Sequence, residues 1–127
     1  MKPKFQIKVS SLDNKTSVLN ALFDTGSFYT IIRKDKLPGT QFFVAPQTFR
    51  TAAHGGKLHI DGQTILRMEH EGKTIEDDVL ISSDLVGEMI VGAKTMQCWD
   101  VTIHNTSGHT QVIFGKDIHD PDITEVD

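Results

Sequence analysis

Asp24-Thr25-Gly26-Ser27 places a carboxylate inside a tight turn, between the apolar pair Leu22-Phe23 and the β-branched run Thr30-Ile31-Ile32. The pattern predicts a strand that stops at Asp24, turns on Gly26 and restarts as a second strand. An acid held at the rim of a sheet can take or give a proton. The same aspartate can equally be a turn residue that accepts backbone N–H groups. Other reactive residue types are scattered. His104 and His109 would face each other across a hairpin, but no His-Glu-x-x-His pattern joins them, so no metal and no cofactor is expected. Cys98 stands beside Trp99 in a helix candidate and is expected to be packed. Glu76-Asp77-Asp78 has the composition of a solvated face. Asp84 and Asp100 could in principle supply a second carboxylate within one chain.

The elements that must position Asp24 are short strands. Phe5, Ile7 and Val9 alternate with Gln6, Lys8 and Ser10, the period of a half-buried strand. Ser11 to Lys15 supplies turn chemistry, and a second strand from about Thr16 to Phe23 delivers the acid. Thr30 to Arg33 is the next strand, and Lys34 to Thr40 a loop or single helical turn. Phe42 to Val44 and Gln47 to Thr51 are strands broken by Pro46. Further strands are expected at Lys57 to Ile60, Gln63 to His70, Lys73 to Ser82 and Met89 to Val91, with bends at His54-Gly55-Gly56, Asp61-Gly62 and Glu71-Gly72. Ala93 to Trp99 is the helix candidate. Val101 to His104 and Thr110 to Phe114 flank a turn at Asn105 to Gly108. The pattern is all-β with one short late helix, consistent with a small barrel.

The chain has 127 residues, with 13 Lys plus Arg against 17 Asp plus Glu, which fits one domain of mildly acidic charge. That balance and the absence of a basic run argue against nucleic acid as a partner. One cysteine excludes an intrachain disulfide and fits a reducing compartment. The charged, alternating start is unlike a signal peptide, and no apolar run approaches the ~20 residues of a membrane helix. The expectation is a cytoplasmic domain at 1–115 with an acidic, flexible tail at 116–127.

Asp24-Thr25-Gly26 resembles the active-site signature of aspartic proteases, and a short chain with one copy resembles their retropepsin-like branch. Three motifs carry the resemblance, in the family's order. After the Asp-Thr-Gly loop comes Thr51-Ala52-Ala53-His54-Gly55-Gly56, similar to a flap tip, and then Ile90-Val91-Gly92 running into the helix candidate. The resemblance spans about Phe5 to Phe114 and implies a closed barrel of the acid-protease type with one short C-terminal helix. Two positions depart from the retroviral pattern. Phe28 and Ala93 stand where an acidic residue and an arginine form an ion pair that braces the loop. Losing both partners together leaves no orphan charge.

What the resemblance implies is peptide hydrolysis by two facing carboxylates that share one proton. Like charges a few ångström apart cannot both ionise cheaply, so one pKa rises and the other falls. With one Asp-Thr-Gly per chain, the second carboxylate comes from a second copy, and a homodimer is a chemical requirement. Asp24 would be catalytic. Thr25 would tie the two loops together, Gly26 would let the backbone approach, and the Ser27 hydroxyl would donate to Asp24. Ala53, His54, Gly55 and Gly56 would close over an extended peptide, and Leu22, Phe28, Tyr29 and Ile90 are candidates for lining its pockets. The runner-up is a non-catalytic dimerising or peptide-binding module of the same fold. A third option is a small barrel that binds a partner through its glycine-rich edge.

Overall fold

The computed structural model describes residues 3–39, 47–49 and 58–120. Strands β1 (Lys4–Ser11) and β2 (Thr16–Phe23) form the expected hairpin, from Lys4 opposite Leu22 to Ser10 opposite Thr16. Alternation decides what enters the core: Ile7 and Val9 from β1, and Leu19, Ala21 and Phe23 from β2, are buried. Beyond the Asp24 loop lie β3 (Ile31–Arg33) and one turn of 3-10 helix at Lys34–Lys36. Strands β4 (Gln47–Phe49) and β5 (Leu58–Ile60) pair antiparallel with Phe49 opposite Leu58. The expected strand at Phe42 to Val44 and the expected flap residues Ala53, His54, Gly55 and Gly56 lie outside the described residues.

Strands β6 (Gly62–His70) and β7 (Lys73–Ser82) are the arms of the longest hairpin. They turn on Glu71 and Gly72, both at positive φ (52° and 77°), the backbone that a two-residue connection needs. Then follow β8 (Met89–Val91), helix α1 (Ala93–Cys98), β9 (Val101–Thr106) and β10 (His109–Phe114). Six strands close a barrel in the order β1-β2-β8-β3-β7-β6, with β6 returning to β1. Strand β8 lies between β2 and β3, parallel to the first and antiparallel to the second. The strands entering and leaving the Asp24 loop are therefore not neighbours, and the loop must arch over the end of β8.

Leu66, Met68, Ile75, Val79, Ile81, Met89 and Val91 complete the barrel interior with the side chains from β1 and β2. Each such burial is worth roughly 1.5–3 kcal/mol. A second cluster sits on another face: Ile31, Leu58, Ile60 and Leu85, with Leu80 and Ile90 packed against it.

Strands β9 and β10 form a separate two-stranded sheet. The pattern of turn formers predicts a four-residue connection at 105–108, but the chain turns on two residues, Ser107 (φ 51°) and Gly108 (φ 80°). Asn105 stays in the ladder opposite Thr110, their side chains hydrogen-bonded. The tighter turn also overturns the expected facing of His104 and His109. His104 lies opposite Gln111 and bonds the Thr102 hydroxyl at 2.8 Å, whereas His109 lies opposite Thr106.

Cys98, expected to be packed, is exposed, because the buried face of this six-residue helix is made by Thr95 and Met96. Residues 116–120, read from composition as the start of a tail, are tied to the domain. Ile118 N–H donates to Thr74 O at 2.8 Å, and Thr74 N–H donates to the Asp117 carboxylate at 2.6 Å. No helix among the described residues is long and apolar enough to cross a membrane.

Candidate active site

The alternation that buries Phe23 turns its neighbours Leu22 and Asp24 outward, to the face where Ile90 lies opposite Leu22 and Ile31 opposite Ile90. Leu22, Ile90 and Ile31 thus form an apolar row across three strands on the face that carries Asp24. Asp24 N–H donates to Val91 O at 3.0 Å, which extends the pairing with β8 by one residue and fixes where the strand ends. The chain then folds back. Ser27 N–H donates to Asp24 O at 3.1 Å, and Gly26 N–H donates to Asp24 Oδ1 at 2.9 Å. A Cβ on Gly26 would stand 3.1 Å from that oxygen, so glycine lets the backbone close tightly on the carboxylate.

The loop is seated on the start of α1. Ala93 N–H donates to Ser27 O at 2.7 Å and Lys94 N–H to Phe28 O at 2.9 Å. These are among the amides that a helix start cannot satisfy internally. They are capped by the Asp24 loop, since the N-cap residue is Gly92 and has no side chain to offer.

Asp24, Leu22 and Ile90 open on a cleft of about 470 Å³. Of the four pocket candidates, the structure brings these two together with Asp24. Phe28 and Tyr29 lie apart from this cleft on the outer side of the loop, 56% and 39% exposed, edge to face with ring centroids 5.1 Å apart. Thr25 is exposed. The Ser27 hydroxyl, expected to donate to Asp24, donates instead to Tyr29 O at 2.8 Å, because a hydroxyl two residues from a turn carbonyl closes a local ring more readily. Asp84 is engaged elsewhere, accepting from His59 N–H at 3.2 Å, and Asp100 occupies the turn after α1 at φ 53°.

Part of the cleft's lining is polar, and no local sequence cue points to it. Lys4, Asn20, Arg33 and Glu88 form it. Glu88 Oε1 accepts from Asn20 N–H at 2.8 Å, and its Oε2 lies 3.5 Å from Lys36 Nζ. Arg33 donates to Val86 O at 3.1 Å and pairs with Asp35 at 2.6 Å, which holds the 86–88 segment against β3. The Asn20 amide, with Lys36 and Arg33 beside it, keeps the Glu88 carboxyl below the ordinary glutamate range.

A depressed folded-state value means that this contact stabilises the fold above the unfolded pKa of about 4.3 and is lost as pH falls through the lower value. Glu88→Gln should therefore unfold at lower urea than the parent at neutral pH, with the two midpoints converging below about pH 4. A gap between midpoints that stays constant down to acid pH would remove Glu88 from the acid sensitivity.

Among the described residues no group of three or more His, Cys, Asp or Glu side chains could hold a metal ion. None of the curated proteins matches the chain. Among solved structures it is similar to EIAV protease complexed with the inhibitor HBY-793, with 16% identity and a TM-score of 0.54 over 77% of this chain and 88% of that one. That likeness shows a shared fold. The sequence model described as retroviral aspartyl protease matches residues 1–104, which include the Asp24 loop, the β8–Gly92 segment and α1. The chain belongs to the retroviral aspartyl protease family.

Proposed function

We propose that the chain is an aspartic endopeptidase acting as a homodimer, in which two Asp24 carboxylates activate one water to hydrolyse an extended peptide. The observation that carries this is the placement of Asp24: an outward carboxylate on a doubly anchored loop, on the same face as an apolar row, at the mouth of a peptide-sized cleft. One ionised carboxylate takes a proton from the water as it attacks, and its protonated partner gives a proton to the carbonyl oxygen. As the C–N bond breaks, the proton taken from water passes to the leaving amine. One hydroxyl of the tetrahedral intermediate returns its proton to the partner carboxylate, which leaves the carboxylic acid and the singly protonated pair.

Leu22 and Ile90 would meet a substrate side chain in the single-chain cleft. Phe28 and Tyr29 would add apolar surface where the second copy completes it. The residues 53–56 would cover the peptide as a flap, adding backbone hydrogen bonds and excluding water. Thr25, exposed on one chain, would bond across the two-fold axis.

Hairpin β9–β10 forms a two-stranded sheet of its own, and a second copy would pair with it edge to edge. The exposed Cys98 fits a reducing cytoplasm.

The test is titration with a statine-type transition-state mimic, combined with dilution. Saturation is expected at about one inhibitor per two chains, because two half-sites build one transition-state site. Activity per chain should fall on dilution through the dimer dissociation constant measured separately. Constant specific activity well below that constant would sink the shared site. Absence of inhibitor binding by a folded dimer would leave the non-catalytic module in its place.

A further inference from the structure

The Asp24 loop is held to α1 by three successive amides, and only one of the three contacts depends on a side chain. Gly92 N–H donates to Thr30 Oγ1 at 3.0 Å. That oxygen lies 2.5 Å from Thr95 Oγ1, one turn into the helix. Both threonines are enclosed, at 2% and 1% exposure. A hydroxyl carries one proton and two lone pairs. Thr30 spends one lone pair on the Gly92 amide, and its contact with Thr95, whichever hydroxyl donates, holds the rotamer that presents this acceptor.

Positions 28 and 93 are Phe and Ala, so no ion pair can form between them. We infer that the buried Thr30–Thr95 hydroxyl pair is a neutral brace that positions the Asp24 loop on α1 and so sets the catalytic rate. The inference rests on the peptidase activity proposed above for its kinetic readout.

Its physical advantage is that it does not titrate near neutral pH and carries no burial cost for charge, whereas a buried ion pair must offset the desolvation of both ions. Thr30 also begins the path into β3: Leu80 N–H donates to its carbonyl at 2.9 Å. One residue thus joins the loop, the helix start and β7. Neither threonine meets a substrate, so both are positioning residues.

The test compares Thr95→Val, which keeps the shape and removes the hydroxyl, with Thr95→Ser, which keeps the hydroxyl and removes the methyl. A positioning role predicts that Thr95→Val lowers kcat on the order of 10- to 100-fold, as loop misplacement does, with KM within about twofold. Thr95→Ser should recover kcat to within about threefold of the parent even though it packs less well. A Val variant with parental kcat, or a Ser variant as slow as the Val variant, overturns the brace.

Should the parent show no peptidase activity, the functional proposal fails, and hydrogen exchange judges the brace alone. Thr30→Val should then speed exchange of the Gly92 amide by tenfold or more while the β6–β7 amides keep their rates. Unchanged Gly92 exchange overturns the brace independently of catalysis.

Discussion

Asp24→Asn is expected to abolish peptide hydrolysis while leaving the fold and the dimer intact. One substitution alters both halves of a symmetric site, so no carboxylate remains to share a proton. The loss should reach at least about 10⁴-fold, the upper end of what a positioned acid–base group contributes. The loop should survive, because the Asn amide oxygen can accept the Gly26 N–H that Asp24 Oδ1 now accepts at 2.9 Å. Mixing makes the test sharper. If protomers exchange freely and both carboxylates are needed, an equal mixture of parent and variant leaves only about one quarter of the dimers with an intact pair. Activity then falls as the square of the parental fraction. A monomer acting alone, or a dimer with independent sites, gives a linear decline to one half. Linear titration, or appreciable turnover by the pure variant, would move catalysis away from Asp24.

The strands carrying the acid could be read from the sequence because their cues are local. Thr16–Phe23 follows the turn chemistry at Ser11 to Lys15 and ends at a turn motif, and β2 has those bounds. Glu71-Gly72 reads as a turn, and both residues adopt the left-handed backbone that such a turn uses. Leu22 and Ile90 could be placed near Asp24 because each is an apolar residue on the outward phase of a strand adjoining a motif. The polar part of the lining could not. Asn20 and Glu88 are 68 positions apart and meet only because β8 inserts beside β2 in parallel register, a pairing with no local signature. Thr30 and Thr95 are hidden for the same reason, since each is an ordinary strand or helix threonine until the fold brings them together. The errors were also local. Four consecutive turn formers suggested a wide hairpin loop at 105–108, where a two-residue turn suffices. Cys98 beside Trp99 suggested burial, but the helix turns Thr95 and Met96 inward.

The aim of the Ser27 hydroxyl changes what the pH profile should report. Were it donating to Asp24, Ser27→Ala would shift the activity profile toward higher pH. With the proton committed to Tyr29 O, that reason for a shift is gone, and the Gly26 backbone amide bonds Asp24 Oδ1 whatever side chain stands at position 27. Loop geometry, then, has more influence on the site than Ser27 does. That places the burden on whatever holds the loop against α1.

Gly92→Ala should cripple the site for a purely steric reason. The backbone at Gly92 is extended, with φ −94°, so alanine suffers no conformational strain there. What it lacks is room: a Cβ would lie 2.3 Å from Tyr29 O, 2.6 Å from Tyr29 C and 2.7 Å from Phe28 O. All three are main-chain atoms, so no side chain can swing aside, and the loop itself must lift. Lifting it stretches the bonds from Ala93 and Lys94 to Ser27 O and Phe28 O, and Asp24 moves with the segment. Overpacking of this kind costs roughly 1–3 kcal/mol of stability. Displacement of a catalytic group by about 1 Å costs on the order of 10²-fold in rate. Activity should therefore drop far more than the loss of folded protein explains. The control is Gly87→Ala on the wall of the same cleft, where a Cβ meets nothing within 4 Å. That variant should hold its stability to within about 0.5 kcal/mol, as surface substitutions do. If Gly92→Ala unfolds with the parent and turns over at the parental rate, the loop is not seated on Gly92, and the contact between the Asp24 loop and the start of α1 does not control the site.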